Sequence, residues 1–249
     1  MHKIIKFSFF FSISLCFLAM ITILITFIVF KPNLPEIKYV DESELQMPLK
    51  VFSKDGVLIG EFGEIKRRST EFNDIPDNIK NAFLAAEDDN FFNHQGISYS
   101  ALVRSFIRCA SPSGCQGGGG TITMQVVRGY LLTREQTITR KIKEIFLALE
   151  LEGINDKEEI FELYVNRIFL GNRSYGIEAA ANTYFNKNLN QLDVGESATI
   201  AAIAQLPSRV NPVKNLRRTT QRRNWILSRM LLLKYIDQEE YEMAISKKI

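Results

Sequence analysis

From Phe7 to Phe30 the chain carries no charged residue. As a helix this run is about 36 Å long at 1.5 Å per residue, more than the ~30 Å hydrocarbon core of a bilayer. A small water-soluble domain has no place for such a segment. The run is therefore expected to be a transmembrane helix over 7–30, with the rest of the chain folding separately on one side. A cleavable signal would have a shorter apolar core and a small-residue cleavage site, and none stands out here. Cys16 lies inside the run without a lipobox. Lys3 and Lys6 precede the span; Lys31 and Lys38 come after it, together with Glu36, Asp41, Glu42 and Glu44. The positive-inside rule then places residues 1–6 in the cytoplasm and 31–249 outside, a single pass with the N-terminus inside.

The chain beyond the span has the content of one packed domain. The net charge of +3 on 249 residues gives no reason to expect a nucleic-acid partner. Residues 31–47 read as a Pro- and acid-rich connector, 48–240 as the domain and 241–249 as a tail. Leu49 to Ser53, the Lys54-Asp55-Gly56 turn and Val57 to Phe62 predict a small β-hairpin. Asp74-Ile-Pro76-Asp77 predicts a helix start, with Pro76 in the first turn. Beyond it the pattern is helical, so the fold class is mainly α. Cys109 and Cys115 bracket Ala-Ser-Pro-Ser-Gly, which leaves a disulfide and two free thiols both open. Two cysteines without a nearby histidine do not make a zinc site.

Three segments carry candidate chemistry. Residues 87–96 read Glu-Asp-Asp-Asn-Phe-Phe-Asn-His-Gln-Gly and come after Ile79, Phe83 and Ala86, spaced for one buried face. At about 100° per residue Glu87 falls between Phe83 and Phe91. There its carboxylate loses water and its pKa rises toward that of a general base. A solvated acidic helix end is the plain alternative. The second segment runs from Gly117 through Thr121, Thr123 and Gln125 to Arg128. Its glycines permit close approach, and the N-terminus of the next helix attracts anions, which suits a phosphate or pyrophosphate. It is not a P-loop, and a linker between helices is the alternative. The third is a helix from about Thr137 to Leu151. Ile138, Ile142, Ile145, Phe146 and Leu149 form its apolar stripe, with Arg140, Lys141 and Glu144 on the opposite face. That face is either a solvated ion-paired surface or a holder for a diphosphate.

Together these segments resemble the peptidoglycan glycosyltransferase family, found in the N-terminal half of class A penicillin-binding proteins and in monofunctional transglycosylases. Five ordered motifs carry the resemblance. They are Glu87-Asp88-x-x-Phe91-x-x-His94-x-Gly96, Gly119-Gly-Thr121-Ile-Thr123-Met-Gln125, Arg140-Lys141-Ile-Lys-Glu144, Glu162-Leu-Tyr-Val-Asn166 through Gly171, and Glu196-Ser-Ala-Thr-Ile-Ala-Ala202. The segment Arg222 to Met230 is similar to the family's closing helix. The resemblance implies a lysozyme-like fold with an apolar jaw touching the membrane, for which Leu102, Val103, Phe106 and Ile107 are candidates. The implied substrates are lipid II and the nascent glycan strand. The implied reaction is inverting transfer with release of undecaprenyl pyrophosphate, on the outer face of the cytoplasmic membrane. Glu87 would deprotonate the 4-hydroxyl of the incoming GlcNAc, with Glu144 as the second catalytic carboxylate. Asp88, His94, Thr121, Thr123, Gln125, Arg128, Arg140 and Lys141 would serve substrate and pyrophosphate. A divalent cation, Mg²⁺ or Mn²⁺, is expected with the pyrophosphate, and other cell-wall synthesis proteins are expected as partners.

Four positions depart from the family pattern. Gly120 stands where Ser is usual, Met124 where Gln is, Gly129 where Asn is common, and Gln136 where Arg is expected. Losing a guanidinium removes a bidentate phosphate contact. No Ser-x-x-Lys and no Lys-Thr-Gly is present, so transpeptidase chemistry is not expected of these residues. Two alternatives to a polymerase stay open: a lytic transglycosylase, which has no pyrophosphate to hold, and a decayed enzyme that binds lipid II without turnover. The arginines at 217, 218, 222 and 223 are candidates for lipid headgroups or for a solvated helix face.

Overall fold

The computed structural model describes residues 21, 28–35, 37, 49–56, 58–62, 70–99, 120–133 and 137–249. Among them no helix is long and apolar enough to cross a membrane. The uncharged run at 7–30 lies almost wholly outside the described residues, as do both cysteines at 109 and 115, most of the Gly-rich loop, the 102–107 stripe, Arg134 and Gln136. The described fold is mainly helical. Strand β1 (Leu49–Phe52) pairs antiparallel with β2 (Leu58–Phe62), with a register irregularity between Val51 and Phe52. In the turn between them the Gly56 amide donates to the Ser53 carbonyl at 2.9 Å.

Helix α1 (Asp77–Glu87) starts directly after Pro76, which occupies the N-cap rather than the first turn. Its apolar residues recur at helical spacing, and Ile79, Ala82 and Phe83 are fully buried. Helix α2 (Ile122–Leu131) opens on Thr121, whose hydroxyl accepts the Met124 amide at 3.1 Å. Thr137 caps α3 (Ile138–Glu152) in the same way through the Arg140 amide. These bonds satisfy donors that a helix N-terminus otherwise leaves orphaned. Helices α4 (Lys157–Arg167), α6 (Val194–Ala204) and α8 (Gln238–Ser246) each begin with a reciprocal capping box: Asp156 with Glu159, Asp193 with Glu196, and Asp237 with Glu240. Helix α5 (Ile177–Phe185) starts after Gly176, and α7 (Leu216–Leu232) is capped by Asn215.

Helix α6 is the centre of the molecule. Ser197, Ala198, Thr199, Ile200, Ala201, Ala202 and Ile203 are all buried, and an element apolar on every side has to be surrounded. Helices α1, α5, α7 and α8 pack on it. A second group forms where α2 packs on α3 and α4. The end of α1 meets the start of α2 between these groups, and that junction positions the site.

Helix α3 departs from the sequence expectation. Its buried side is Leu147, Ala148, Leu151 and, fully enclosed, Glu144. Ile142, Ile145 and Phe146 are half-buried and Leu149 is 43% exposed. This helix is apolar on two adjacent faces, so periodicity alone picked the wrong one. The arginine cluster also divides. Arg217 and Arg218 are exposed. Arg223 is buried and donates to the Lys247 and Ile245 carbonyls, which fastens α8 to α7. A lipid-headgroup role for Arg223 is thereby excluded.

Gly176 is a sharp backbone constraint. Its φ is 79°, and an added Cβ would lie 2.8 Å from the Asn166 carbonyl oxygen. Positive φ with extended ψ, here 161°, is essentially a glycine conformation and costs a side-chain-bearing residue about 1–3 kcal/mol, and here a main-chain clash is added. Gly176→Ala is expected to lower the unfolding free energy by about 3 kcal/mol in a denaturant titration. Gly120→Ala, whose Cβ would meet nothing closer than 3.5 Å, is expected to change it by about 0.5 kcal/mol or less.

Candidate active site

Helix α1 ends where the chemistry begins. Asp88 leaves the helix with φ −158°, and its carboxylate is buried. One oxygen, Oδ2, accepts the Ile122 amide of α2 at 3.1 Å and lies 2.9 Å from His94 Nε2. The carboxylate therefore sits on the N-terminus of α2, where the helix dipole favours negative charge. Thr121 adds a second tie, its hydroxyl donating to the Gly96 carbonyl at 2.6 Å. Gly96 has φ 77°, and a Cβ there would come within 2.8 Å of the Ala148 carbonyl oxygen. Only glycine lets this segment lie so close to α3. Asp88 and Thr121 thus join the first motif to the second, and His94 braces Asp88 from within the first.

This joint sets Glu87 against α2. Gln125 Nε2 donates to Glu87 Oε2 at 3.1 Å. Glu87 keeps a partly accessible edge, while burial of the rest pushes its carboxyl above the ordinary value. The bond from Gln125 and the charges of Arg222 and Arg128 oppose that rise, and the neighbouring Asp88 adds to it. Burial wins, which is the environment of a general base rather than of a solvated helix end. Tyr164 of α4 closes the same region. It is buried edge-on against Phe83, with ring centroids 5.9 Å apart. Burial first, then the negative charge of Glu87, pushes its phenol well above its usual range.

Glu144 is enclosed between two cations. Arg140 Nη1 donates to one carboxylate oxygen and Lys141 Nζ to the other, the latter at 3.0 Å. Its side chain is 0% exposed, against 18% for Arg140 and 35% for Lys141. The solvated ion-paired face considered from sequence is therefore excluded. The carboxylate fixes the cations, and the cations reach toward solvent. Lys141 Nζ would lie 3.8 Å from a Cβ built on Gly120, so the third motif abuts the end of the Gly-rich loop. Beside this cluster a cleft of about 460 Å³ opens between connector residues Pro32 and Leu34 and the α2–α3 junction, with Leu132, Thr137, Arg140 and Lys143 on its wall.

A divalent cation finds no ready cage here. Among the described residues no group of three His, Cys, Asp or Glu side chains is placed to hold a metal. Both oxygens of Glu144 are already in ion pairs. This donor set does not fit a resident cation.

Other motif residues build the frame. Thr123 is fully buried, and its hydroxyl donates to Glu152 at 2.5 Å, away from Glu87. Glu152 also pairs with Lys157. Asn166 exchanges two 3.0 Å bonds with the Thr70 backbone, and Glu162 accepts the Phe72 amide at 3.0 Å. The fourth motif thereby clamps the strand of chain that leads into α1. Two contributors near Glu87 were missed from sequence, Tyr164 and Arg222. Tyr164 stood inside the fourth motif, where a buried aromatic reads as core. Arg222 stood in a basic cluster, and nothing local marks the residue that turns inward.

A helical domain that carries a poorly hydrated carboxylate and, on another helix, a second carboxylate flanked by cations has the parts of an acid–base transfer site. Residues 55–231 match the family described as Transglycosylase, and the chain belongs to that family. It is 50% identical to penicillin-binding protein 1A of Pseudomonas aeruginosa over 218 residues, covering 88% of this chain and 26% of that protein. It is 47% identical to penicillin-binding protein 1A of Haemophilus influenzae, covering 84% of this chain and 24% of that protein. The crystal structure of the Haemophilus protein aligns over 83% of this chain and 21% of that one, at 34% identity and a TM-score of 0.48. The chain spans about a quarter of the length of these curated relatives.

Two stability experiments check this geometry. Folding raises the Glu87 carboxyl above 4.5, so the fold favours its protonated form. That contribution is complete below 4.5 and is lost as pH rises through the folded value. Glu87→Gln, permanently neutral, is expected to be more stable than the native chain at pH 7, with the gap closing as pH falls toward 4.5. Chemical denaturation across a pH series reads the difference. Glu144→Leu leaves two cations facing each other without their anion and is expected to cost about 3 kcal/mol. Glu150→Leu, on the exposed side of α3, is expected to cost about 0.5 kcal/mol or less.

Proposed function

We propose that this chain is a membrane-anchored peptidoglycan glycosyltransferase that polymerises lipid II. The observation that carries the reading is the desolvated Glu87, held by Gln125 at the start of a helix that belongs to the transglycosylase family segment. In this reading the domain is lysozyme-like. Glu87 takes the proton from the 4-hydroxyl of the acceptor GlcNAc. The freed oxygen pair attacks the anomeric carbon of the MurNAc that ends the growing strand. That carbon inverts, and the bond to the undecaprenyl pyrophosphate breaks with its electrons on the diphosphate.

The leaving group gains negative charge, so preorganised cations lower the barrier. Arg140 and Lys141, fixed from beneath by Glu144, supply it, and Arg128 adds a third charge nearer Glu87. Glu144 acts through these two side chains. Asp88, His94 and Thr121 hold the two reacting segments in register. A divalent cation, in this reading, arrives with the diphosphate. The uncharged run at 7–30 anchors the domain on the outer face of the cytoplasmic membrane, where lipid II and other cell-wall synthesis proteins are met.

The test is a gel-resolved polymerisation assay with the full chain in detergent, labelled lipid II and Mg²⁺ or Mn²⁺. A ladder of glycan strands is expected, and Glu87→Gln is expected to reduce its rate by at least about a hundredfold, the usual contribution of a general base. Shortening of preformed strands would instead identify a lytic enzyme. Binding of lipid II with no ladder from the native chain would identify a decayed enzyme, and Gln136→Arg would then be the variant to assay.

A further inference from the structure

Arg222 lies far from the five motifs in sequence and yet reaches the end of α1. Its Nη2 donates to the Ala86 carbonyl across 136 residues, at 3.3 Å. Ala86 is the residue before Glu87, and its carbonyl lies in the last turn of α1, among those a helix leaves without an internal partner. A cation there also meets the negative end of the helix dipole. The guanidinium stacks on Trp225, with its carbon 4.0 Å from the ring centroid. One face is therefore fixed by an aromatic ring three residues along α7, and one edge by the backbone that carries Glu87. The buried Nε has no partner among the described residues, so the side chain is held by these two contacts.

We propose that Arg222 is a positioning residue for the transfer reaction: bonded to the Ala86 carbonyl, it fixes the backbone that carries Glu87 and brings a positive charge to the end of α1 where this base sits. The proposal rests on the reading of Glu87 as the general base. Among the described residues five groups bear on that carboxylate. Asp88, just past the end of α1, is negative, Gln125 and Arg128 on α2 are neutral and positive, Tyr164 on α4 is a phenol, and Arg222 on α7 is positive. Of the two arginines, Arg222 has the stronger effect on Glu87. Its own ionisation is lowered by burial and raised by Glu87, as expected of a coupled pair.

A base must be deprotonated to act, so the rate falls on the acidic side as Glu87 takes up a proton. Removing the positive charge favours the protonated carboxyl and moves that limb to higher pH. The experiment measures kcat/KM for lipid II polymerisation against pH, with the full chain in detergent, for the native protein, Arg222→Gln, Arg222→Lys and Glu87→Asp. Thermal melting of each variant runs alongside. Arg222→Gln is expected to move the acidic limb up by about half to one pH unit. Arg222→Lys keeps the charge and loses the planar fork, so its limb stays within about 0.3 unit of native while kcat falls. If Glu87→Asp moves the limb and Arg222→Gln does not, Arg222 is only a structural cap and the proposal is overturned. If neither moves it, the limb does not belong to Glu87, and the general-base reading fails together with the proposal. Should Arg222→Gln not fold, Arg222→Lys decides: a limb shifted as far as half a unit contradicts the charge role.

Discussion

A single carboxylate oxygen holds the site together. Asp88 Oδ2 accepts the first amide of α2 and meets His94 within hydrogen-bond distance, so the loop after α1 and the start of α2 cannot separate without exposing an unpaired buried charge. A buried carboxylate that loses its partners is far more costly than one never placed there. The other contacts of the site depend on this joint. With α2 fixed, Gln125 reaches Glu87, and Thr121 both caps its helix and binds Gly96. With Gly96 fixed, α3 lies against the same segment and brings Arg140, Lys141 and Glu144 to the end of the Gly-rich loop. The charged groups are arranged in two sets with opposite logic. Around Glu87 burial prevails over the cations, and the carboxyl is pushed up. Around Glu144 two cations enclose an anion with no exposure of its own.

In the proposed reading this division separates acid–base work from charge stabilisation. A base has to be reluctant to ionise, and a site for a leaving diphosphate has to be rich in fixed positive charge. One cluster could not meet both demands, because cations crowded onto Glu87 would hold its proton affinity too low. Placing the clusters on different helices, α1 with α2 and the start of α3, keeps them distinct while the Asp88 joint keeps them in register. The central helix α6 is buried along most of its length. It gives α1 and α7 a common surface to pack on, and so fixes the distance from which Arg222 can reach Ala86.

Much of this was legible in the sequence wherever the cause was local. The helix start at about Thr137 was legible because a capping side chain acts within three residues. The rise at Glu87 follows from its burial, which its place on the helical wheel between two apolar rings leads one to expect. What the sequence hid depends on contacts between distant segments. Asp88 looked like a substrate ligand because nothing nearby shows that the Ile122 amide, 34 residues on, would claim it. Helix α3 carries apolar residues on two sides, so its periodicity fits two orientations, and only packing against α2 and the 94–96 segment selects the one that buries Glu144. Arg222 is one of four arginines with the same local surroundings, and its direction is set by α1. The ordered motifs pointed to the family because they record these long-range contacts indirectly.

The account stands on Glu87 being a carboxyl whose ionisation is resisted by burial. Site-resolved ¹³C NMR of the Glu87 side-chain carboxyl, in the full chain in detergent micelles and titrated with pH, measures this without substrate or turnover. The predicted result is a midpoint above 4.5, the ordinary value, that rises further when Gln125→Leu removes the hydrogen bond opposing it. A midpoint at or below 4.5 would contradict the account, because the carboxylate would then be an ordinary solvated or ion-paired anion and not a poised base.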